Sequence, residues 1–108
     1  MSQDFVGEFE QMVLLSIMRL GKEAYGLAIR EELEDVAGRL PSSGSLYTTL
    51  DRMERKGFVE SSAGEATGAR GGRARRYVRV TAEGRAQLTR SRSTLLALWD
   101  GLEEALDA

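Results

Sequence analysis

The spacing of apolar residues in the first half of the chain predicts three amphipathic helices. The first runs from about Gly7 to Leu20 and is apolar on most of its circumference, which is typical of a helix at the centre of a core. The second runs from about Tyr25 to Val36 and has a strongly acidic outer face. The third begins at Ser42 or Ser43, either of which can cap it, and ends at Gly57. Two short helices joined by a short turn match the helix-turn-helix pattern.

The apolar stripes indicate which sides of the first two helices should be buried. In the first helix the stripe consists of Phe9, Met12, Val13, Ile17 and Leu20, and it is widened by Leu14, Leu15 and Met18. In the second helix the stripe consists of Tyr25, Ile29, Leu33 and Val36.

The third helix has two different faces. Leu46, Leu50 and Met53 repeat at helical spacing and should be buried, with Tyr47 beside them. The opposite face combines short polar groups with cations, a mixture suited to base edges and phosphates, and consists of Ser45, Thr48, Thr49, Arg52, Arg55 and Lys56. A solvated surface helix shows the same pattern, so this segment alone does not establish DNA recognition.

A β-hairpin is predicted after the third helix, where the period of the pattern changes. Residues 58–61 and 76–81 favour short strands, and in the second of these Val78 and Val80 share one face. Residues 62–75 contain four glycines and no large apolar residue, so they should form a loop. A basic hairpin that follows a helix-turn-helix is the wing of a winged helix.

The last segment is predicted to be one long helix capped by Thr81. Its apolar seam has heptad spacing and consists of Leu88, Leu95, Leu98, Trp99, Leu102 and Leu106. The seam could fold back on its own domain or pair with a second subunit. The second arrangement is favoured, because a small domain has little surface left to cover so long a helix.

Composition excludes several classes of function. The 108 residues are 42% hydrophobic, enough for one small core, and contain no cysteine and no histidine. Disulfides, the commonest zinc ligands and the commonest general base are therefore missing, and no metal, cofactor or enzymatic chemistry is expected. The acidic N-terminus lacks a signal peptide, and the apolar run from Met12 to Met18 is too short to cross a bilayer, which predicts a soluble cytoplasmic protein without a membrane partner.

Charge is concentrated in the middle of the chain. Residues 1–51 carry nine acids and four bases, a net charge of −5. Residues 52–92 carry four acids and eleven bases, a net charge of +7, and residues 93–108 carry four acids and no base, a net charge of −4. The basic part includes wing arginines suited to phosphates, namely Arg70, Arg73, Arg75 and Arg76. Two alternatives stay open, an RNA-binding arginine–glycine loop and a winged helix used as a protein–protein adaptor.

Three segments resemble the PadR family of bacterial transcriptional regulators: GEFEQMVLLSIMRLGKEAYGLAIREELE, SSGSLYTTLDRMERKGFVES and GGRARRYVRVTAEGR. The resemblance covers about residues 7–90 and is most specific at Gly44–Tyr47, followed by Arg75–Tyr77. Thr48 stands where the family often has a proline, and Ala24–Gly26 stand where the second helix of the family often opens with a histidine before its glycine.

The resemblance implies a homodimeric regulator, usually a repressor, that binds a roughly palindromic operator through its third helix and dimerises through its C-terminal helices. Some compact members bind flat aromatic effectors next to a tryptophan at the dimer interface. This makes Trp99 an effector candidate, although the same residue could simply pack in the dimer seam.

The sequence therefore predicts a mainly α fold with a small β-hairpin (α+β). A winged helix-turn-helix domain is expected in residues 1–81 and a dimerisation helix in residues 82–108. The expected partners are double-stranded DNA and a second copy of the chain. The third-helix residues expected to contact DNA are Ser43, Ser45, Tyr47, Thr48, Thr49, Arg52, Arg55 and Lys56.

Overall fold

The computed structural model describes residues 6–64 and 75–107. Helices and two strands follow one another in the predicted order, with a 3-10 turn at Gly21–Glu23. The elements are α1 (Glu8–Leu20), α2 (Gly26–Ala37), α3 (Ser43–Arg55), β1 (Val59–Ala63), β2 (Arg76–Val80), α4 (Ala82–Trp99) and α5 (Glu103–Asp107).

The core lies between α1, α2, α3 and the inner face of the hairpin. Its largest fully buried side chains follow the predicted stripes, and are Val13, Leu14, Ile17, Ile29, Leu33, Leu46, Leu50, Met53 and Val59. The stripes were too wide at three places, because Leu15, Met18 and Val36 are largely exposed. Val36 has the right spacing, but every residue from 34 to 40 is exposed, so the last turn of α2 projects beyond the core.

Helix α3 begins and ends as its sequence predicts. The Ser45 backbone N–H donates to the Ser42 hydroxyl at 3.0 Å, which makes Ser42 the N-cap. Gly57 follows the helix with φ of 84°, a left-handed conformation that favours glycine. The orientation of the buried face of α3, and hence of its outer face, is set by Leu46, Leu50 and Met53 in the core.

The hairpin is antiparallel and is fixed to the start of α2. Its register runs from Val59 opposite Val80 to Ala63 opposite Arg76, so β1 begins one residue later and ends two residues later than predicted. The Val78 N–H donates to the Ala24 carbonyl at 2.9 Å, which adds a short bridge on the other edge of β2. This bridge holds the base of the wing against the domain.

The C-terminal segment is not the single helix that was predicted. Helix α4 ends at Trp99, and a turn through Gly101, whose φ is 83°, leads into α5. A glycine in this conformation stops helical propagation, because the left-handed backbone cannot continue a right-handed helix. Every residue from 92 to 106 is exposed, so α4 leaves the core after its first half. No described helix is both long enough and apolar enough to cross a membrane.

Candidate nucleic-acid interface

The outward face of α3 consists of small polar groups and the exposed cation of Arg55. Ser45, Thr48 and Arg55 are exposed and face away from Leu50 and the rest of the core. Ser43 is exposed as well, but it is the first residue of the helix and lies on the side of Leu50. Thr48 and Arg55 lie seven residues apart, which places them on the same side of a helix. The major groove of DNA admits an α-helix, and the polar groups of this face are of the kind that contact base edges there.

Two predicted residues of this face are placed differently by the fold. Thr49 is only 3% exposed, because it lies three residues after Leu46 and four before Met53 and so belongs to the buried side. The prediction that Thr49 contacts DNA is therefore wrong. Tyr47, predicted as a buried anchor as well as a DNA contact, is 40% exposed, and its hydroxyl packs against Gly26 at the start of α2.

A buried carboxylate that the sequence analysis missed binds the cationic side of α3. Glu10, in the first turn of α1, accepts a hydrogen bond from Arg52 Nε at 2.9 Å, and Lys56 Nζ lies 3.5 Å from the same oxygen. Its other oxygen accepts from the Gly7 N–H at 3.2 Å. Arg52 and Lys56, predicted as DNA contacts only, are thus also held by the protein itself.

The sequence did contain a signal for this cluster. Glu10 lies three and four residues before Val13 and Leu14, so it falls on the buried stripe of α1. A carboxylate on a buried stripe needs cationic partners, because an unpaired buried charge is costly. Which cations would meet it could not be derived, since Arg52 is 42 positions away in the chain.

The environment of Glu10 favours its charged form. Burial raises the pKa of its carboxyl group, but this effect is outweighed by the hydrogen bonds from Arg52 and the Gly7 N–H and by the nearby charges of Lys56 and Arg52. The net result is a pKa below the ordinary value of 4.5. Glu10 is therefore ionised at neutral pH.

A pH-dependent contribution to stability follows from this lowered pKa. Because the folded-state pKa lies below the unfolded value, ionised Glu10 stabilises the fold above that value, and the contribution is lost as pH falls through the folded-state pKa. We expect the free energy of unfolding of Glu10→Gln to change less with acidification than that of the wild type. Urea denaturation at pH 7 and at about pH 4 measures this difference. Equal pH dependence in both proteins would contradict it.

Arg76 joins the base of the wing to α3. It lies 2.9 Å from Asp51 and 2.8 Å from Glu54, and its Nε donates to the Ser61 hydroxyl at 2.9 Å. The hydrogen bonds from Ser61 and from Arg76 lower the pKa of Glu54. Arg76 was predicted to hold DNA phosphates, but these contacts give it a structural role as well, since they neutralise two acids beside the outward face.

The remaining wing arginines have different positions. Arg75 is exposed and its guanidinium lies 4.2 Å from the centre of the Tyr25 ring, a cation–π contact that leaves its charge accessible. The Tyr25 and Tyr77 rings meet edge to face at 5.6 Å and support this contact. Arg70 and Arg73 lie outside the described residues, and their predicted phosphate contacts stay predictions.

Comparison with known proteins identifies the family. The model of the transcriptional regulator PadR-like family matches residues 14–90, which is more than half of the chain. The chain belongs to the PadR-like family. It is a DNA-binding transcriptional regulator and not an enzyme. No curated protein sequence matches the chain significantly.

Several solved structures, among them PadR family regulators, share the fold. A PadR family transcriptional regulator from Eggerthella lenta is 29% identical, with a TM-score of 0.68 over 91% of this chain and 83% of that one. The complex structure of hsRosR-S4 is also 29% identical, with a TM-score of 0.65 over 92% and 77% of the two chains. A PadR family regulator from Clostridium difficile, at 24% identity and a TM-score of 0.67 over 89% and 97%, shows the same fold.

The C-terminal seam of this PadR-like chain is exposed except at its start. Leu88 is 9% exposed and belongs to the core of its own domain, so its assignment to the dimer interface is corrected. The other predicted seam residues are between 42% and 67% exposed, and are Leu95, Leu98, Trp99, Leu102 and Leu106. Leu96, which the heptad pattern did not include, is half exposed beside them. Such a patch of large apolar side chains is typical of an interaction surface.

Proposed function

We propose that this PadR-like chain is a cytoplasmic transcriptional repressor that binds a roughly palindromic operator as a homodimer, with α3 of each subunit in the major groove. The outward face of α3 carries the proposal. It combines the hydroxyls of Ser45 and Thr48 with the cation of Arg55, all exposed, on a helix whose opposite face is held in the core. Hydroxyls and guanidinium groups at this spacing are suited to base edges and the phosphates beside them.

The two-fold symmetry of a dimer would place equivalent helices on the same side of the duplex. Half-sites would then lie about one helical turn apart, roughly 34 Å. Arg75 and the arginines farther along the wing would contact the flanking backbone or minor groove, where cations add affinity without reading sequence. Ser43 and Tyr47, both exposed at the start of α3, are proposed to contact phosphates.

Repression would follow from occlusion of a promoter by the bound dimer. A flat aromatic effector that stacks on Trp99 would act by changing the angle between the two domains, a rigid-body switch carried by the C-terminal helices. Trp99 is accessible in the single chain, which both an effector site and a packed dimer seam require.

DNA binding and the role of Arg55 are tested together by fluorescence anisotropy across a salt series. The probes are a duplex selected from a random pool by the wild-type protein, a mixed-sequence duplex and single-stranded RNA of the same length. We expect the selected duplex to bind about 10³-fold more tightly than the mixed one, with affinity falling as salt rises. Arg55→Gln should weaken binding to the selected duplex by about 1–3 kcal/mol.

The control for Arg55→Gln is Arg92→Gln, which removes the same charge from an exposed position on α4. Equal effects of the two substitutions would show that only net charge matters and would remove Arg55 from the interface. A preference for single-stranded RNA would favour the arginine–glycine loop as the binding element. Absence of salt-dependent binding to any of the three probes would favour a protein–protein adaptor.

A further inference from the structure

Glu10 is an acidic group within reach of the proposed DNA-binding helix. Its side chain is 8% exposed, and it is the only buried carboxylate among the described residues. DNA is polyanionic, so a negative charge beside α3 opposes binding. Its presence there therefore needs another explanation. Capping of α1 explains the hydrogen bond from Gly7, but it does not explain the two cations that Glu10 binds from α3.

The carboxylate of Glu10 is held in one orientation because both of its oxygens have partners. Oε1 accepts from the backbone N–H of Gly7, and Oε2 lies within reach of both Arg52 and Lys56. The partner of Oε1 is a backbone group of Gly7, the N-cap of α1, which cannot follow a rotating side chain. Glu10 is therefore a fixed anchor for the cations of α3.

The contact with Glu10 restricts the orientation of the Arg52 side chain but leaves part of its guanidinium group available for other contacts. Arg52 donates through Nε, and its Nη2 lies 3.5 Å from the hydroxyl of buried Thr49, so the guanidinium is held on two sides. The side chain is still 43% exposed. Contact through Nε leaves terminal N–H groups of the guanidinium for an external acceptor, and a restrained arginine loses less rotamer freedom when it binds.

Lys56 is affected differently by the same carboxylate. Its Nζ lies 3.5 Å from Glu10 and its side chain is 27% exposed, less than that of Arg52. A compact ammonium group has no orientation to preserve, so Glu10 acts on it mainly through charge. The positive charge that Lys56 offers to a phosphate is reduced accordingly.

We propose that Glu10 is a positioning residue that increases sequence specificity: it orients Arg52 beside the outward face of α3 and keeps the charge of Lys56 from DNA phosphates. Binding then depends more on base sequence and less on general attraction to the backbone. The inference rests on the proposed entry of α3 into DNA. The inference goes beyond that proposal, because it assigns an indirect role in DNA recognition to a residue of α1 that has its side chain inside the domain.

Glu10→Gln tests this with the selected duplex, the mixed-sequence duplex and the salt series described above. Glutamine keeps the shape of the side chain but removes the negative charge that binds Arg52 and Lys56. We expect binding to the mixed duplex to tighten and its salt dependence to steepen by about one unit in log K against log salt per chain. The ratio of selected to mixed affinity should fall about tenfold, because Arg52 is no longer oriented.

Glu8→Gln is the matched control. It removes the same charge from the same turn of α1, but the Glu8 side chain is 83% exposed and lies 3.9 Å from Arg39 rather than near α3. It should leave the affinity ratio unchanged. If Glu10→Gln and Glu8→Gln change binding equally, or if Glu10→Gln leaves the ratio intact, Glu10 has no positioning role.

Arg52→Lys provides a second test that does not alter the core and serves if Glu10→Gln does not fold, as judged by circular dichroism. It keeps the charge but removes the group that Glu10 orients, so the affinity ratio should fall with little change in salt dependence. An unchanged ratio would overturn the inference. If the wild type itself shows no preference for a selected duplex, the proposed function fails; if that preference exists and survives both substitutions, only the role of Glu10 fails.

Discussion

Replacement of Gly84 by alanine is expected to destabilise the fold by about 1–3 kcal/mol, although alanine is the better helix former. Gly84 lies in the first turn of α4 and is buried. A Cβ atom there would overlap the carbonyl oxygen of Phe58 and lie 2.7 Å from Val80 Cγ1. The Phe58 carbonyl accepts a hydrogen bond from the Thr81 N–H at 2.9 Å, so it cannot move away without breaking the cap region of α4.

Gly44→Ala is the matched control for this substitution. Gly44 also lies in the first turn of a helix, α3, but no atom would lie within 4 Å of its added Cβ. Here alanine should raise the free energy of unfolding by up to about 1 kcal/mol, because only helix propensity changes. Urea denaturation followed by circular dichroism measures both variants. A rise in the free energy of unfolding for both variants would show that the close approach of α4 to Phe58 does not limit position 84.

Combined replacement of Leu95 and Leu98 by glutamate is expected to convert the proposed dimer into monomers. Both side chains are about half exposed or more, on the part of α4 that has left the core, so the domain should fold without them. Charges in an apolar seam would remain unpaired and desolvated in a dimer, which is costly. Sedimentation velocity measures the mass. Loss of the second half-site contact should also weaken operator binding by about 10²- to 10⁴-fold.

Leu27→Glu separates the seam from a general effect of surface charge. Leu27 is exposed like Leu95, but it lies on α2, outside the seam. The Leu27→Glu protein should keep the mass of the wild type. Monomers in the wild type, or an unchanged mass after replacement of Leu95 and Leu98, would refute a dimer built on α4.

Helix α3 shows how far a sequence pattern reaches. Its N-cap at one of the two residues Ser42 and Ser43, its buried stripe and its end at Gly57 were predicted, because each depends on residues within one or two helical turns. The assignment of its outer face was less accurate. Thr49 is buried, since the width of a stripe depends on what packs against it, and a polar β-branched residue at its edge can fall on either side.

Helix α4 shows what a sequence pattern could not predict. The heptad pattern grouped Leu88 with Leu95 and the residues that follow, because the same spacing describes a helix on its own core and a helix on a partner. The fold separates them: Leu88 contacts the core, whereas the later residues lie beyond it. The break at Gly101 was also missed, although glycine is a poor helix residue, because heptad spacing continues across it.

The sequence by itself determined the helices and strands as far as Trp99, their order and the basic character of the middle of the chain, because periodicity, caps and charge are local properties. Family membership followed from the same local motifs. Only the tertiary structure decided which of these cations are bound by carboxylates of the domain itself. Arg55 is exposed, whereas Arg52 and Lys56 bind Glu10 and Arg76 binds Asp51 and Glu54. These ion pairs join residues that are distant in the chain, and their partners are set by packing rather than by spacing.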